Sequence, residues 1–280
     1  MTIAVSRPAG TAAAHPTKIE AALPAGLDAP IPVQPTLEQE RLYRKQRLAA
    51  GYRLFARCGF DFGGAGYITA RDPEFTDCFW VNPAQVHFSR IRVSDLMLVD
   101  HDGKILQPPA NARPFLNTAA VTILSALHKA RPDIVAAAHT HSLYGKVWST
   151  LGRLLDPLTQ DSAAFYESHA LLSDFSGVIL EAPEGERLAR ALGRHRAIVL
   201  QNHGLFTVGQ TVEGAVWRYV AMENACQVQL LAEAAGQTRP MRHDIARHAA
   251  GQDGPSEVGA IYSFLPYWEV IAEEEPDLFD

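Results

Sequence analysis

The alternation of helices and apolar strands between residues 118 and 235 constrains the fold of this chain more than any other feature. TAAVTILSALHKARPDI predicts a helix that Pro132 ends, and IVAAAHTHS predicts the buried strand that follows it. SGVILE predicts another strand and GERLARALG a helix. RAIVLQNHGLFTVG then predicts a pair of strands, and VEGAVWRYVAMENACQVQLLAEAAG predicts a long helix. This alternation is typical of an α/β or α+β domain.

The residues before this region predict a helix followed by short strands. The segment LEQERLYRKQRLAAGYRLFARCGF places Leu48, Tyr52 and Phe55 at helical spacing, and Gly59 ends the helix. YITAR and CFWV predict two strands joined by a turn, and LMLV and KIL predict a hairpin. We therefore expect the first half of the chain to add strands to the same domain.

The length and composition of the chain predict one domain with a tail at each end. The 280 residues are 47% hydrophobic and 20% charged, which suffices for one substantial core. Residues 1–35 are rich in Ala, Pro and Thr, and we expect them to be a disordered extension. The domain is expected to span residues 36–240. Residues 241–280 mix aromatic and acidic side chains, so we expect this tail to pack on the domain or on a neighbouring subunit.

Charge and cysteine usage favour a cytoplasmic protein that acts on small molecules. The formal net charge is -6 and the pI is near 6.0, which gives no electrostatic reason to bind nucleic acid or an anionic membrane. No apolar run approaches the roughly 20 residues that span a bilayer. The start lacks the pattern of a secretory signal. The three cysteines are widely spaced and suit a reducing compartment.

Three histidines form the candidate functional site. His139 and His141 lie two apart in a predicted strand, so their side chains point to the same face. His203 ends the apolar strand AIVLQN, and Gly204 after it allows a tight turn. Three imidazoles suit zinc, iron, cobalt or copper and leave coordination positions open for substrate. The alternative is that they are packed histidines bonded to backbone carbonyls, but the pair after IVAAA favours a metal.

The two histidine motifs resemble the metal site of the class II aldolase/adducin family. AAAHTHS and IVLQNHGLFTVGQTVEGAVW carry the resemblance, which extends from about Leu37 to Ala235. It implies a three-layer α/β/α domain around a central, mostly antiparallel sheet. It also implies a homotetramer in which His139, His141 and His203 are the metal ligands.

The chain departs from the sugar-phosphate aldolases of this family at two places. Those enzymes carry a catalytic glutamate in the helix before the histidine pair, where this chain has Ala120, and residues 117–119 supply no carboxylate either. They also hold a phosphate with a Thr-Gly turn and paired serines. Here the matching residues are 82–85, Asn-Pro-Ala-Gln, and Thr118 with Ala119. The sequence therefore disfavours a sugar phosphate substrate.

The segment TQDSAAFYESHALLSDF supplies candidates for the missing acid–base group. Related epimerases draw such a residue from this region. Glu167 is the candidate fourth ligand or acid–base group, and His169 is the next. The alternatives are a solvated loop carboxylate and a solvated or packed imidazole. Tyr144 and Lys146, in a helix predicted to begin near them, are candidates for binding substrate, unless that helix directs them to solvent.

An open three-histidine metal without a cleavage base suits chemistry in which the metal carries electrons. Ferrous iron binds 2-oxo acids together with dioxygen, which leads to oxidative decarboxylation. The chain resembles the non-haem iron oxygenases of aminocoumarin antibiotic biosynthesis. Those enzymes convert a prenylated 4-hydroxyphenylpyruvate through the mandelate to the prenylated 4-hydroxybenzoate. The resemblance implies Fe(2+), dioxygen and an aromatic 2-oxo acid as the cofactor and small-molecule partners.

Aromatic side chains are available for such a substrate, although each of them is also a candidate for the core. They are Phe79, Trp80, Phe88, Phe165 and Tyr166. Two other functions stay open. One is a zinc-dependent aldolase or decarboxylase that cleaves carbon–carbon bonds without dioxygen, and the other is a non-catalytic binding role of the adducin type.

Overall fold

The computed structural model describes residues 30–177, 181–253 and 256–280. Most of the predicted disordered extension, residues 1–29, lies outside the described residues. So does the centre of the predicted strand SGVILE, residues 178–180.

The described residues contain one eight-stranded sheet and eight α-helices. The strands are β1 (Tyr67–Arg71), β2 (Cys78–Val81), β3 (Met97–Asp100), β4 (Ile105–Gln107), β5 (Ala136–Thr140), β6 (His169–Leu172), β7 (Ala197–Leu200) and β8 (Gly204–Gly209). The helices are α1 (Leu37–Arg57), α2 (Thr118–Ala130), α3 (Leu143–Ser149), α4 (Gln160–Ala163), α5 (Ala182–Leu192), α6 (Val212–Ala235), α7 (His243–Asp253) and α8 (Glu257–Glu274).

The sheet has the order β4-β3-β2-β1-β5-β8-β7-β6. Every neighbouring pair is antiparallel except β6 and β7, which are parallel. β5 is therefore an interior strand with β1 on one side and β8 on the other. The mostly antiparallel sheet expected from the family resemblance is confirmed.

Both faces of the sheet are covered by helices, which is why its strands are apolar on both sides. Along β5, Ala136 and Ala138 belong to the first core, and Ala137 between them belongs to the second. Helices α1, α6 and α8 supply the first core, and α2 and α5 supply the second. The alternation follows from the two-residue period of a strand. It confirms the three-layer α/β/α architecture.

The local predictions agree with the structure except at two places. The helices and strands predicted outside residues 178–180 are all present, but the short strand β6 was not predicted from its sequence, HALL. β5 is also shorter than the predicted strand and ends at Thr140. His141 therefore lies just beyond the strand and not within it.

The residues after the predicted domain, 241–280, contribute to the first core through α8. Phe264 and Trp268 of α8 are almost fully buried there, against the face that α1 and α6 also cover. Across the described ranges, no helix combines the length and the apolar character needed to cross a bilayer.

Candidate metal centre

His139 enters the site from the end of β5 with its orientation set by a backbone carbonyl. It lies opposite Tyr67 of β1 and Phe206 of β8 in the ladder, and its ring is buried beside both aromatic rings. Its Nδ1 lies 2.7 Å from the carbonyl oxygen of Leu205. Because a carbonyl only accepts, Nδ1 carries the hydrogen and donates it. Nε2 is left with a free lone pair, as in many metal-binding histidines.

The turn between β7 and β8 brings His203 to the same place. Asn202 has a φ of 59°, in the left-handed region that asparagine tolerates better than most residues. Gly204 has a φ of 150°, and a Cβ there would lie 3.2 Å from the carbonyl oxygen of Thr140. This glycine allows the turn to pass close to the end of β5, so that His203 faces the histidine pair.

The three histidines converge on one point. Nε2 of His203 lies 3.1 Å from Nε2 of His141. One ring nitrogen from each of the three histidines, His139 included, lies within 4.8 Å of the others. Tetrahedral ligands at about 2.0–2.1 Å from zinc are about 3.3 Å apart, so this spacing fits a shared ion. The predicted trio is therefore brought together by the fold.

The surroundings keep these imidazoles neutral, which is the form that binds metals. Burial holds the pKa of His139 well below its ordinary value, and His203 lowers it further. Burial, followed by the neighbouring His141, lowers the pKa of His203 to about 4. The pKa of His141 is lowered first by burial and then by the positive charge of Lys146. Protons therefore compete little with a metal at pH 7.

No carboxylate from the described residues joins this cluster of ligand atoms. Ala120, at the position where the sugar-phosphate aldolases have their glutamate, is fully buried in the second core beside Ile123 and Leu124. The described residues thus place the three histidines of the family pattern together and have an alanine where the sugar-phosphate aldolases have the glutamate.

The structure does not bring His169 to the cluster. Its Nδ1 donates to the carbonyl oxygen of Phe165 (2.6 Å), and its Nε2 accepts the N–H of Leu155 (2.9 Å). It begins β6, three strands from β5, which is about 14 Å at the usual strand spacing. The next residue, Ala170, shares the second core with Ala137, so His169 points to the face opposite His139. It is a packed imidazole, the alternative considered above.

Glu167 lies on the surface, where its carboxylate pairs with the guanidinium of Arg247 from α7. Both distances are 3.1 Å, and Arg247 lowers the pKa of Glu167. Glu167 is two residues before His169 and lies at the same distant edge of the sheet. In this subunit it fits the alternative of a solvated carboxylate, and it does not contact the histidine trio.

Two residues of α3 were predicted to bind substrate. The backbone N–H of Tyr144 is bonded to Glu223, and its ring packs against the first core. The ammonium of Lys146 lies 4.1 Å from the centre of the Phe62 ring and is close enough to His141 to lower its pKa. Lys146 therefore places a positive charge beside the trio, whereas Tyr144 is largely part of the packing.

The structure also shows neighbours of the site that the sequence analysis missed. The ring of Phe175 meets the ring of His203 edge to face, with the centroids 6.2 Å apart. Together with Leu172 and Leu200 it lines a small hollow beside His203. Phe175 follows β6 in an irregular segment, so no periodic signal marked it.

Comparison with known proteins places this fold and site in a family. The model of the class II aldolase and adducin N-terminal domain matches residues 46–230, which is more than half of the chain. The chain belongs to the class II aldolase/adducin family. The matched range contains all three histidines and both helices of the second core.

Two relatives from Streptomyces are named as an oxygenase and a decarboxylase. It is 41% identical over 248 residues to 4-hydroxy-3-prenylphenylpyruvate oxygenase/4-hydroxy-3-prenylbenzoate synthase of Streptomyces roseochromogenus subsp. oscitans, covering 88% of each protein. It is equally 41% identical over 248 residues to Decarboxylase NovR of Streptomyces niveus, covering 88% of this chain and 90% of that protein.

A solved structure with a different name is also similar. It is L-fuculose 1-phosphate aldolase from Glaciozyma antarctica PI12, with a TM-score of 0.83 and 43% sequence identity over 90% of this chain and 97% of that one. Family membership therefore establishes the fold, while the names of similar proteins diverge between an oxygenase and a lyase.

Removing one histidine should remove the metal and leave the fold. We expect His139→Ala to lose bound metal because one of three ligands is gone, and to keep its secondary structure because helices pack on both faces of the sheet. Metal content by mass spectrometry and far-UV circular dichroism measure the two effects.

His169→Ala is the matched control for a buried imidazole. It should retain metal but lose about 1–3 kcal/mol of unfolding free energy, because two backbone groups lose their partner. Full metal content in His139→Ala, or its global unfolding, would contradict the assignment.

Proposed function

We propose that this protein is a non-haem iron(II) oxygenase that oxidatively decarboxylates an aromatic 2-oxo acid. The observation that carries the proposal is the cluster of His139, His141 and His203, neutral and convergent, with no carboxylate from the described residues among its ligand atoms. The name of the first Streptomyces relative supports an oxygenase and suggests 4-hydroxy-3-prenylphenylpyruvate as the substrate. The second relative is named a decarboxylase, which fits the same reaction. The family resemblance described above implies that the reaction serves antibiotic biosynthesis.

The three histidines fit the proposed cofactor. Imidazole nitrogens are suitable ligands for iron and for zinc, and three of them leave positions open. Bound ferrous iron would activate dioxygen, and the 2-oxo acid would supply the electrons that reduce it. The protein's part is to hold the three ligands: Leu205 fixes the tautomer of His139, and the turn around Gly204 presents His203.

The charge and shape around the trio suit an aromatic acid. The ammonium of Lys146 lies beside His141, and we assign it to the carboxylate of the substrate. Phe62 lies under the ammonium of Lys146, and Phe175 lies beside His203. Each of the two side chains is more than half exposed. These two rings offer apolar surface to the aromatic part of the substrate. Burial of that part against them would favour binding.

The helix that follows His141 also supports self-assembly, as expected for a homotetramer. Leu143 and Val147, four residues apart on α3, are 60% and 42% exposed. Leu151 and Leu154 continue the exposed apolar surface. Such a surface is typical of a protein–protein contact, and a second copy of this chain is the partner we propose.

A zinc-dependent lyase is the second candidate. The 43% identical structure named L-fuculose 1-phosphate aldolase favours it. Cleavage of a carbon–carbon bond needs a group that exchanges a proton with the substrate. Ala120 cannot do so, and Glu167, the carboxylate predicted for this task, is paired with Arg247 on the surface. The site therefore favours the oxygenase.

Oxygen uptake by metal-loaded protein tests the proposal. Protein loaded anaerobically with iron should consume oxygen and release carbon dioxide when given 4-hydroxyphenylpyruvate or its 3-prenyl derivative. The zinc-loaded protein is the control and should do neither. Turnover of either acid by zinc-loaded protein without oxygen would refute the oxygenase and favour the lyase.

Loss of the Lys146 charge should weaken substrate binding. Lys146→Met keeps most of the unbranched side chain but removes the ammonium, so we expect KM for the 2-oxo acid to rise about tenfold, the equivalent of about 1.4 kcal/mol. Lys129→Met, on the exposed side of α2, is the control and should leave KM unchanged. An unchanged KM in Lys146→Met would show that another group binds the carboxylate.

A further inference from the structure

His141 lies just beyond the end of β5, so the pairing of strands does not hold it directly. The ladder between β5 and β8 ends at Thr140, opposite Leu205, and the ladder between β5 and β1 ends at His139. His141 follows these last pairs. Its position therefore depends on what holds the residues on either side of it.

Tyr219 of α6 holds the residue before His141. Its hydroxyl donates to the carbonyl oxygen of Thr140 (2.9 Å) and accepts the Thr140 hydroxyl (2.8 Å). The same hydroxyl lies 2.9 Å from Oγ of Ser142, the residue after His141. Tyr219 and Thr140 are both fully buried, so these bonds are shielded from water.

Glu223, one turn further along α6, holds the residues after His141. Its Oε2 accepts the hydroxyl of Ser142 and the N–H of Gly145, both at 2.6 Å. Its Oε1 accepts the N–H of Tyr144 at 2.8 Å. Glu223 is only 3% exposed. A carboxylate only accepts hydrogen bonds, and here three donors satisfy it.

Gly145 leaves room for this arrangement. A Cβ at this position would lie 2.7 Å from Oε2 of Glu223 and 2.7 Å from Cγ of Leu205. The absence of a side chain therefore lets α3 approach the carboxylate closely. Leu205 is also the residue whose carbonyl orients His139. Leu205 therefore contacts both His139 and the first turn of α3, which follows His141.

We propose that Glu223 is a positioning residue of the metal centre. Through Ser142 and the first turn of α3, and with Tyr219 on Thr140, it fixes the backbone on both sides of His141 and so aims this imidazole at the metal. Glu223 does not join the ligand atoms themselves. The inference rests on the proposed metal centre and adds to it a residue that acts through His141.

Replacing the carboxylate by an amide isolates this role. The amide of Glu223→Gln has nearly the same shape, but its NH2 group cannot accept a hydrogen bond and would face a donor. Glu213→Gln is the matched control, since Glu213 lies on the same helix, is 2% exposed, and binds Tyr43 and Arg47 instead.

Cobalt(II) is the probe, because its visible absorption reports the geometry of its ligands. We expect Glu223→Gln to bind cobalt about 10–100-fold more weakly and to change the absorption spectrum of the bound ion, as is typical when groups behind a ligand are altered. Glu213→Gln should keep wild-type affinity and spectrum. Urea unfolding of the metal-free variants measures stability separately.

Wild-type cobalt affinity and spectrum in folded Glu223→Gln would overturn the positioning role and leave the metal centre intact. Failure of the wild-type protein to bind cobalt would overturn the metal centre itself. If Glu223→Gln does not fold, Tyr219→Phe replaces it, since this change removes only a hydroxyl. A loss of cobalt affinity of about three- to tenfold would then support the network, and wild-type affinity would overturn it.

Discussion

The antiparallel pairing of β5 with β8 is the interaction on which the rest of the site depends. It places Thr140 opposite Leu205, which lets the carbonyl of Leu205 bind His139 and brings the turn with His203 to the end of β5. A shift of one residue in this register would move His139 to the other face of the sheet. Because helices cover both faces, the apolar residues of β5 and β8 hold the register, and this packing fixes the positions of the three histidines.

The three histidines of the site are held in position by different parts of the structure. His139 belongs to a strand and is fixed by the sheet, and His203 is fixed by a turn that needs glycine after it. His141 lies beyond the strand and depends on the polar network that Glu223 and Tyr219 of α6 form with its neighbours. α6 thus contributes both to the first core and to the geometry of the proposed metal centre.

Local patterns in the sequence were sufficient to predict most elements and the three histidines that the fold brings together. The two-residue spacing of His139 and His141 predicted a common face, although His141 lies just beyond β5, and the glycine after His203 marked a tight turn. Pairing between distant strands was not predictable in this way. The strand β6 is short, and its position depends on a parallel partner. Glu167 and His169 were therefore predicted to act beside the histidine trio, although they lie three strands away from it. Glu223 had no local motif either, because its role comes from contacts with α3.

The family resemblance supplied the fold, whereas the reaction depends on individual residues of the site. The absence of a carboxylate at Ala120 separates this chain from the aldolase pattern more clearly than overall similarity does. X-ray absorption at the iron edge of anaerobically loaded protein tests this central claim most directly. The account predicts three imidazole ligands with the remaining positions taken by water or substrate. A carboxylate from the protein among the ligands, or fewer than three imidazoles, would contradict it.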